Sequence, residues 1–183
     1  QSLYFGVRNL KSKTVIKSTK LCLLLFLGMS TSTFSQVEEL TPEEQAYRDS
    51  ITALNIENAA IANSQEAYNN GIKLFSEKKF EASIEQFKKS VGFDPNFTAA
   101  YYNKGVAENE VAKFADAVKT LDKLIELKPA YSKAYFQRGR SYQGLNDYLK
   151  AEKDYEKSIA LDASNPKAYY NYGPLRFLQK DYD

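Results

Sequence analysis

From Ser64 onward, small, aromatic and polar positions recur with a period of 34 residues. Short polar stretches, such as SEKK at 76–79 and GLND at 144–147, divide each period into two amphipathic segments of helical length. A unit of this size cannot bury its apolar face alone, so the pattern predicts an all-α solenoid of stacked antiparallel helix pairs. Four glycines mark the period, each three residues after an aromatic: Gly71, Gly105, Gly139 and Gly173, after Tyr68, Tyr102, Phe136 and Tyr170.

The glycines also set the register, with repeats that begin at Ser64, Thr98, Ser132 and Pro166. Glycine at position 8 of a repeat costs about 1 kcal/mol relative to alanine inside a helix. Its regular return therefore predicts a second helix that approaches closely. Large and small residues alternate at fixed offsets in that second helix, with Phe87, Leu121 and Tyr155 at position 24 and Ser83, Ala117 and Ala151 at position 20.

This pattern resembles the tetratricopeptide repeat over residues 64–183. The resemblance implies a superhelix of three repeats, 64–97, 98–131 and 132–165, followed by 166–183 as a partial fourth repeat or a capping helix. Pro95 and Pro129 match the proline that the family has at position 32, while the third repeat moves its proline to Pro166.

Three departures from the family pattern carry expectations. Position 27, usually alanine, holds Ser90, Leu124 and Ser158. Glu108 at position 11 predicts different packing in the second repeat. Pro174 lies well inside the first helix of the fourth repeat, where proline costs about 3 kcal/mol, so that helix should kink near Tyr170 or end early.

The segment before the repeats begins with a helix-start signal. Thr41 can cap, Pro42 suits the first helical position, and Glu44 completes the spacing of a capping box. An apolar stripe interrupted by Asn58 follows, and it predicts a helix over about 42–60; its residues are Tyr47, Ile51, Leu54 and Ile61. We interpret 36–63 as a spacer or as a cap on the first repeat.

Residues 1–35 are typical of a cleavable secretory signal. Five basic residues precede the apolar core LCLLLFLGM at 21–29, which is too short to span a bilayer, and small residues precede the predicted cleavage site after Ser35. The alternative is a buried strand or the start of a helix. The ending STSTFSQ at 30–36 resembles signals of Gram-negative Bacteroidota. We therefore expect a periplasmic or secreted protein whose mature form does not span a membrane.

Composition excludes several kinds of chemistry. The chain has no histidine, and cleavage removes Cys22, the only cysteine, so zinc sites and triads with a histidine base are excluded. Without residues 1–35 the chain has 20 basic and 23 acidic residues, which gives no electrostatic reason to bind nucleic acid. We predict no enzyme activity, no catalytic residue, no metal and no cofactor.

The resemblance implies a concave groove lined by the first helix of each repeat. Position 5 carries an aromatic ladder and position 6 an amide ladder, which suit an extended peptide or a partner helix; alternatively, both ladders only stabilise the stack. The residues that this register places in the groove are Tyr68, Asn69, Ile72, Tyr102, Asn103, Val106, Lys133, Phe136, Gln137, Arg140, Lys167, Tyr170 and Asn171.

The groove is expected to be apolar in the first two repeats and basic in the third and fourth. This gradient predicts a ligand with an apolar segment and an acidic or carboxylate-bearing end. The family members that grip acidic chaperone tails have lysine and asparagine where this chain has Tyr68 and Ile72, so that clamp is absent.

Together these features predict a non-enzymatic interaction module, a scaffold or assembly factor of the cell envelope with a protein or peptide partner. An alternative is the truncated N-terminal region of a larger envelope enzyme or signalling receptor. A third hypothesis is self-association through the C-terminal helix.

Overall fold

The computed structural model describes residues 40–164 and 166–180, with side chains described up to residue 173. The predicted signal and its cleavage site lie outside the described residues. Within that part of the chain there are seven helices: α1 Pro42–Ser76, α2 Phe80–Phe93, α3 Thr98–Glu110, α4 Phe114–Leu127, α5 Ser132–Gly144, α6 Tyr148–Leu161 and α7 Pro166–Lys180. The prediction of stacked helix pairs is confirmed over the described residues.

The chain divides into two compact units, Gln1–Asp49 and Ser50–Asp183. In the described part of the first unit, Thr41 and Glu44 form the predicted capping box. The Glu44 amide donates to Thr41 Oγ1 at 3.3 Å, and Glu44 Oε2 accepts from the Thr41 amide at 3.1 Å. Both contacts satisfy backbone or side-chain groups at the start of α1.

Helix α1 is longer than its sequence pattern suggested. The prediction of an end near residue 60 was wrong, because α1 continues to Ser76 and supplies the first helix of the first repeat. No glycine or proline occurs between Pro42 and Gly71. Asn58 interrupts the apolar stripe, but its helix propensity is only a few tenths of a kcal/mol worse than that of most polar residues.

Each helix pair of the second unit is joined by the same turn. A left-handed residue lies two positions after the end of the first helix, at Lys78, Ala112 and Asn146. The next amide then donates to a carbonyl five residues earlier, as in Lys113 to Glu108 at 2.8 Å and Asp147 to Tyr142 at 2.9 Å. This hydrogen bond satisfies a carbonyl at the helix end and turns the chain back on itself.

Three of the four periodic glycines provide the predicted close approach between helices. A Cβ on Gly139 would lie 2.7 Å from Tyr155 Cε1, and a Cβ on Gly71 or Gly105 would meet the position-24 residue at 2.6 or 2.8 Å. A Cβ on Gly173 meets nothing within 4 Å among the described residues. Glycine is thus required by packing in the first three repeats.

Paired serines account for the unusual residues at position 27. Ser132 Oγ donates to the Ser158 carbonyl at 3.0 Å and lies 3.0 Å from Ser158 Oγ. Ser64 and Ser90 repeat this arrangement in the first repeat, and all four side chains are buried. The second repeat has Leu124 at position 27 instead, so an apolar contact replaces the hydroxyl pair there.

Glu108 differs from its equivalents as expected. It is buried, and its Oε1 accepts from Lys104 Nζ at 2.6 Å, while the same ammonium donates to Thr120 Oγ1 at 2.7 Å. Its Oε2 is buried with no hydrogen-bond partner among the described residues. The lysine supplies the positive charge that a buried carboxylate requires.

A half-buried arginine joins the second and third repeats. Arg138 makes two hydrogen bonds to Asp154 at 2.7 Å each, and its NH1 lies 2.6 Å from Asp122 Oδ1. The hydrogen bonds that Arg138 donates to Asp154 raise the pKa of Arg138 above its ordinary value, while burial raises the pKa of Asp154 despite the arginine. Burial thus disfavours the Asp154 carboxylate, and Arg138 offsets this desolvation cost only in part.

Helix α7 continues past Pro174 to Lys180. The prediction that this helix might end early was wrong. Pro174 lies nine residues into α7, so it removes one hydrogen bond within the helix without ending it. Among the described helices, none combines the length and the apolar character needed to cross a membrane.

Candidate functional site

Apart from Lys133, the predicted groove residues of the third and fourth repeats line one open cavity between α5 and α7. Its volume is about 590 Å³. On each helix, successive lining residues are one or three positions apart, so each set occupies a single face. The lining consists of Phe136, Gln137 and Arg140 from α5 and Pro166, Lys167, Tyr170 and Asn171 from α7.

The floor of this cavity is buried and its rim is exposed. Phe136 and Gln137 are 8% and 7% exposed, whereas Tyr170 is 81% exposed. The Phe136 ring packs against Tyr155 with centroids 5.9 Å apart. Because Phe136 belongs to a core cluster, its aromatic surface supports the fold as well as the cavity.

Arg140 provides a cation at one wall but shares it with an acidic neighbour. Its NH2 donates to Glu110 Oε1 at 3.2 Å and its NH1 donates to Gln137 Oε1 at 3.1 Å. Arg140 and Glu110 are each about one third exposed, so water and salt screen their attraction. A ligand carboxylate could accept from the remaining donors of this guanidinium, and it would compete with Glu110 for the positive charge.

The polar groups beneath the floor are held by the neighbouring repeat. Asn109 donates to the Gln137 carbonyl at 3.0 Å, and Ser141 Oγ donates to Asn109 Oδ1 at 2.7 Å. Burial raises the pKa of Tyr155 to about 12, so its phenol keeps its proton and donates to Gln143 Oε1 at 2.8 Å. These hydrogen bonds fix the position of α5 against α3 and α6.

The other predicted groove residues do not line this cavity. Tyr68 packs on Phe87 and Phe97 with centroids 5.9 and 4.9 Å apart, and Tyr102 packs on Tyr131 at 5.6 Å. Ile72, which is 38% exposed, remains accessible in the first repeat. The predicted residues outside the cavity are Tyr68, Asn69, Ile72, Tyr102, Asn103, Val106 and Lys133.

Part of the amide ladder is used inside the protein. The Asn103 amide nitrogen donates to Tyr68 Oη at 3.0 Å and to the Ala99 carbonyl at 3.0 Å. This contact joins position 6 of the second repeat to position 5 of the first. At Asn103 and Tyr68, the two ladders stabilise the stack, whereas Tyr170 of the fourth repeat is exposed.

The sequence interpretation did not single out Pro166 or Glu110. Pro166 is position 1 of the fourth repeat and closes one side of the cavity. Glu110 occupies position 13, which the family places in the groove, so the register could have identified it. Its pairing with Arg140, thirty residues away, depends on how two repeats stack and has no local signal.

Comparison with known sequences identifies the repeats. Residues 98–131 and 132–165 each match a sequence model of the tetratricopeptide repeat. Residues 98–165 are two tetratricopeptide repeats. These tetratricopeptide repeats contain α3 to α6 and one wall of the cavity. A search of curated proteins found no match.

Solved structures with tetratricopeptide repeats have a similar fold. The first such domain of Spaghetti (RPAP3), bound to the HSP90 peptide SRMEEVD, is 25% identical with a TM-score of 0.64, over 66% of this chain and 95% of that one. The second domain of human RPAP3, in complex with the HSP70 peptide SGPTIEEVD, is 23% identical with a TM-score of 0.60, over 66% and 98% of the two chains. MamA from Desulfovibrio magneticus RS-1 is 24% identical with a TM-score of 0.61, over 64% and 67%.

Neither the matching sequence models nor these structures indicate a catalytic family. In the described part of the chain, no group of three or more acidic or cysteine side chains is arranged to hold a metal ion. The lining residues of the cavity offer apolar contact, amide hydrogen bonding and cation attraction.

Proposed function

We propose that this protein is a non-enzymatic interaction module that binds an extended peptide or a partner helix. The cavity between α5 and α7 carries this proposal, because it combines an exposed tyrosine, an amide and two cationic side chains on two facing helices. Peptide binding by two structurally similar domains supports the same kind of function.

We further propose that the ligand places an acidic side chain or a carboxylate in this cavity. Arg140 and Lys167 come from different helices, so they can approach one anionic group from two sides. Tyr170 can cover an adjacent apolar residue of the ligand at low entropic cost. Tyr68 and Ile72 stand where the chaperone-binding clamp has lysine and asparagine, and Tyr68 is half-buried against Phe87 and Phe97. The specificity should therefore differ from that clamp.

Selection of random peptides on the immobilised chain tests this function. Peptides with an apolar residue near Asp or Glu should be enriched, and their affinity should fall about tenfold in Lys167→Glu and in Tyr170→Ala. Glu110→Gln should strengthen binding by about two- to fivefold, because it removes the competitor for Arg140. Fluorescence anisotropy with a selected peptide measures each change.

Lys157→Glu is the matched control, since it makes the same charge change on an exposed residue of α6 away from the cavity. Its affinity should equal that of the unmodified chain. Equal losses of peptide affinity in Lys157→Glu and Lys167→Glu would show that net charge causes the effect, and would contradict the assignment of the cavity as the binding site. Phe136→Ala is unsuitable for this test, because Phe136 belongs to the core.

We also propose that the protein acts in the periplasm or outside the cell, as a scaffold or assembly factor. The basic, apolar and small-residue segments of residues 1–35 support this location. Expression in a Gram-negative host should yield a chain that begins at Gln36, as measured by intact mass. A product that retains residues 1–35 would contradict the proposed export.

A further inference from the structure

Helix α1 carries an exposed apolar stripe before the first repeat. Ile51, Leu54 and Ile61 are 40%, 50% and 52% exposed, and the buried residues of α1 begin at Ser64. Helices in water are stabilised mainly by packing of an apolar face, so a stripe of this kind implies an occupant.

The spacing of this stripe fits the a and d positions of two heptads of a coiled coil. Ile51, Leu54, Asn58 and Ile61 follow one another at intervals of three, four and three residues, which makes them a, d, a and d of successive heptads. In the sequence, Tyr47 occupies the preceding d position. The next d position is Tyr68, whose ring packs instead on Phe87 and Phe97 of the same chain. The same helical face packs within the chain from Ser64 onward.

Asn58 indicates which occupant fits. Against an apolar groove its amide would be buried unpaired, at a cost of about 1–3 kcal/mol. In a parallel pair of identical helices in register, each a position faces the same a position of the other copy, so two Asn58 amides can pair. We propose that Ile51, Leu54, Asn58 and Ile61, the α1 stripe, form a parallel two-stranded coiled coil with a second copy of this chain.

The residues beside the stripe are compatible with this arrangement. Glu57 occupies position g, and in a parallel pair it faces position e of the following heptad, which is Ala62, so no like charges meet. Ser64 is held by Ser90 at 2.9 Å within its own chain. The coiled coil therefore ends before Ser64, and the repeats begin there.

Sedimentation equilibrium of the full chain tests this proposal with a matched pair of variants. Leu54→Glu places a charge in the stripe and should raise the dimer dissociation constant by about 100-fold or more. Ile56→Glu makes a comparable change two residues away, at an f position that is 66% exposed, and should leave the dissociation constant unchanged. A monomeric unmodified chain, or a dimer that Leu54→Glu does not weaken, would overturn the proposal.

Disulfide trapping tests orientation and register. In a Cys22→Ser background, Asn58→Cys should give a covalent dimer under mild oxidation, because the two residues face each other, whereas Ile56→Cys should not. Equal trapping at both positions would overturn the in-register arrangement. A monomeric chain whose binding to anionic vesicles is lost in Leu54→Glu would overturn the proposal in favour of a membrane-facing helix.

Discussion

Replacing Arg138 with methionine is expected to lower the free energy of unfolding by about 3–5 kcal/mol. The substitution leaves the Asp154 carboxylate, whose side chain is 8% exposed, without its bidentate partner. It also removes the contact with Asp122 that joins the second and third repeats. Urea unfolding followed by circular dichroism at neutral pH measures the loss.

The loss should become smaller in acid. Burial already raises the pKa of Asp154, and removal of the cation raises it further, so the folded variant binds a proton more tightly than the unfolded chain does. Stability of Arg138→Met therefore increases as the pH falls from neutral toward the ordinary aspartate pKa of about 3.9. A loss that is independent of pH would show that Asp154 is not the group left uncompensated.

Two further variants distinguish the loss of the buried ion pair from the loss of a positive charge alone. Arg138→Met combined with Asp154→Leu removes both charges and should recover most of the stability, because apolar residues can replace a buried pair. Lys123→Met removes a lysine from an exposed pair with Glu126 and should leave the unfolding midpoint unchanged.

Replacing Gly139 with valine should cost about 3 kcal/mol of folding free energy. A Cβ at this position lies 2.7 Å from the Tyr155 ring, which is fully buried and held at its hydroxyl by Gln143. The ring cannot withdraw without breaking that hydrogen bond, so α5 and α6 must separate. The change in urea midpoint at constant slope reports this effect.

Gly92→Val is the matched control for this prediction. A Cβ on Gly92 meets nothing within 4 Å, and glycine and valine differ little in helix propensity, so the change should stay within about 0.5 kcal/mol. Equal midpoints for the two variants would contradict the close approach of α5 and α6 as the reason for Gly139.

The periodic features of the fold could be predicted from the sequence because each has a local cause. Glycine at position 8 faces a large residue at position 24, and that relation is visible as a fixed spacing. The ion pair of Arg138 with Asp154 was not predicted, although opposite charges lie sixteen residues apart. That spacing joins two helices only once the turn at Asn146 sets their register.

The candidate site was predictable in part for the same reason. The 34-residue register predicted six of its lining residues as groove residues. The exposure of each side chain depends on how the repeats stack, which buries Phe136 and leaves Tyr170 exposed. The end of α1 was predicted too early because Asn58 was interpreted as an interruption. An asparagine on a helix face lowers helix stability only slightly, but it restricts which side chains can pack against that face.

The contacts between adjacent repeats limit how such an array can grow by gene duplication. Arg138 at position 7 reaches back to Asp122 at position 25 of the preceding repeat, and Tyr172 reaches Glu156 in the same way at 2.7 Å. A tandem copy of the third repeat would again set an arginine against Glu156, so the new junction would keep its ionic contact. A copy of the first repeat would set Asn70 against Lys88 and would lack it. A copy of the second repeat would set Lys104 against Asp122, so copies of the second or the third repeat, but not of the first, place opposite charges at the new junction.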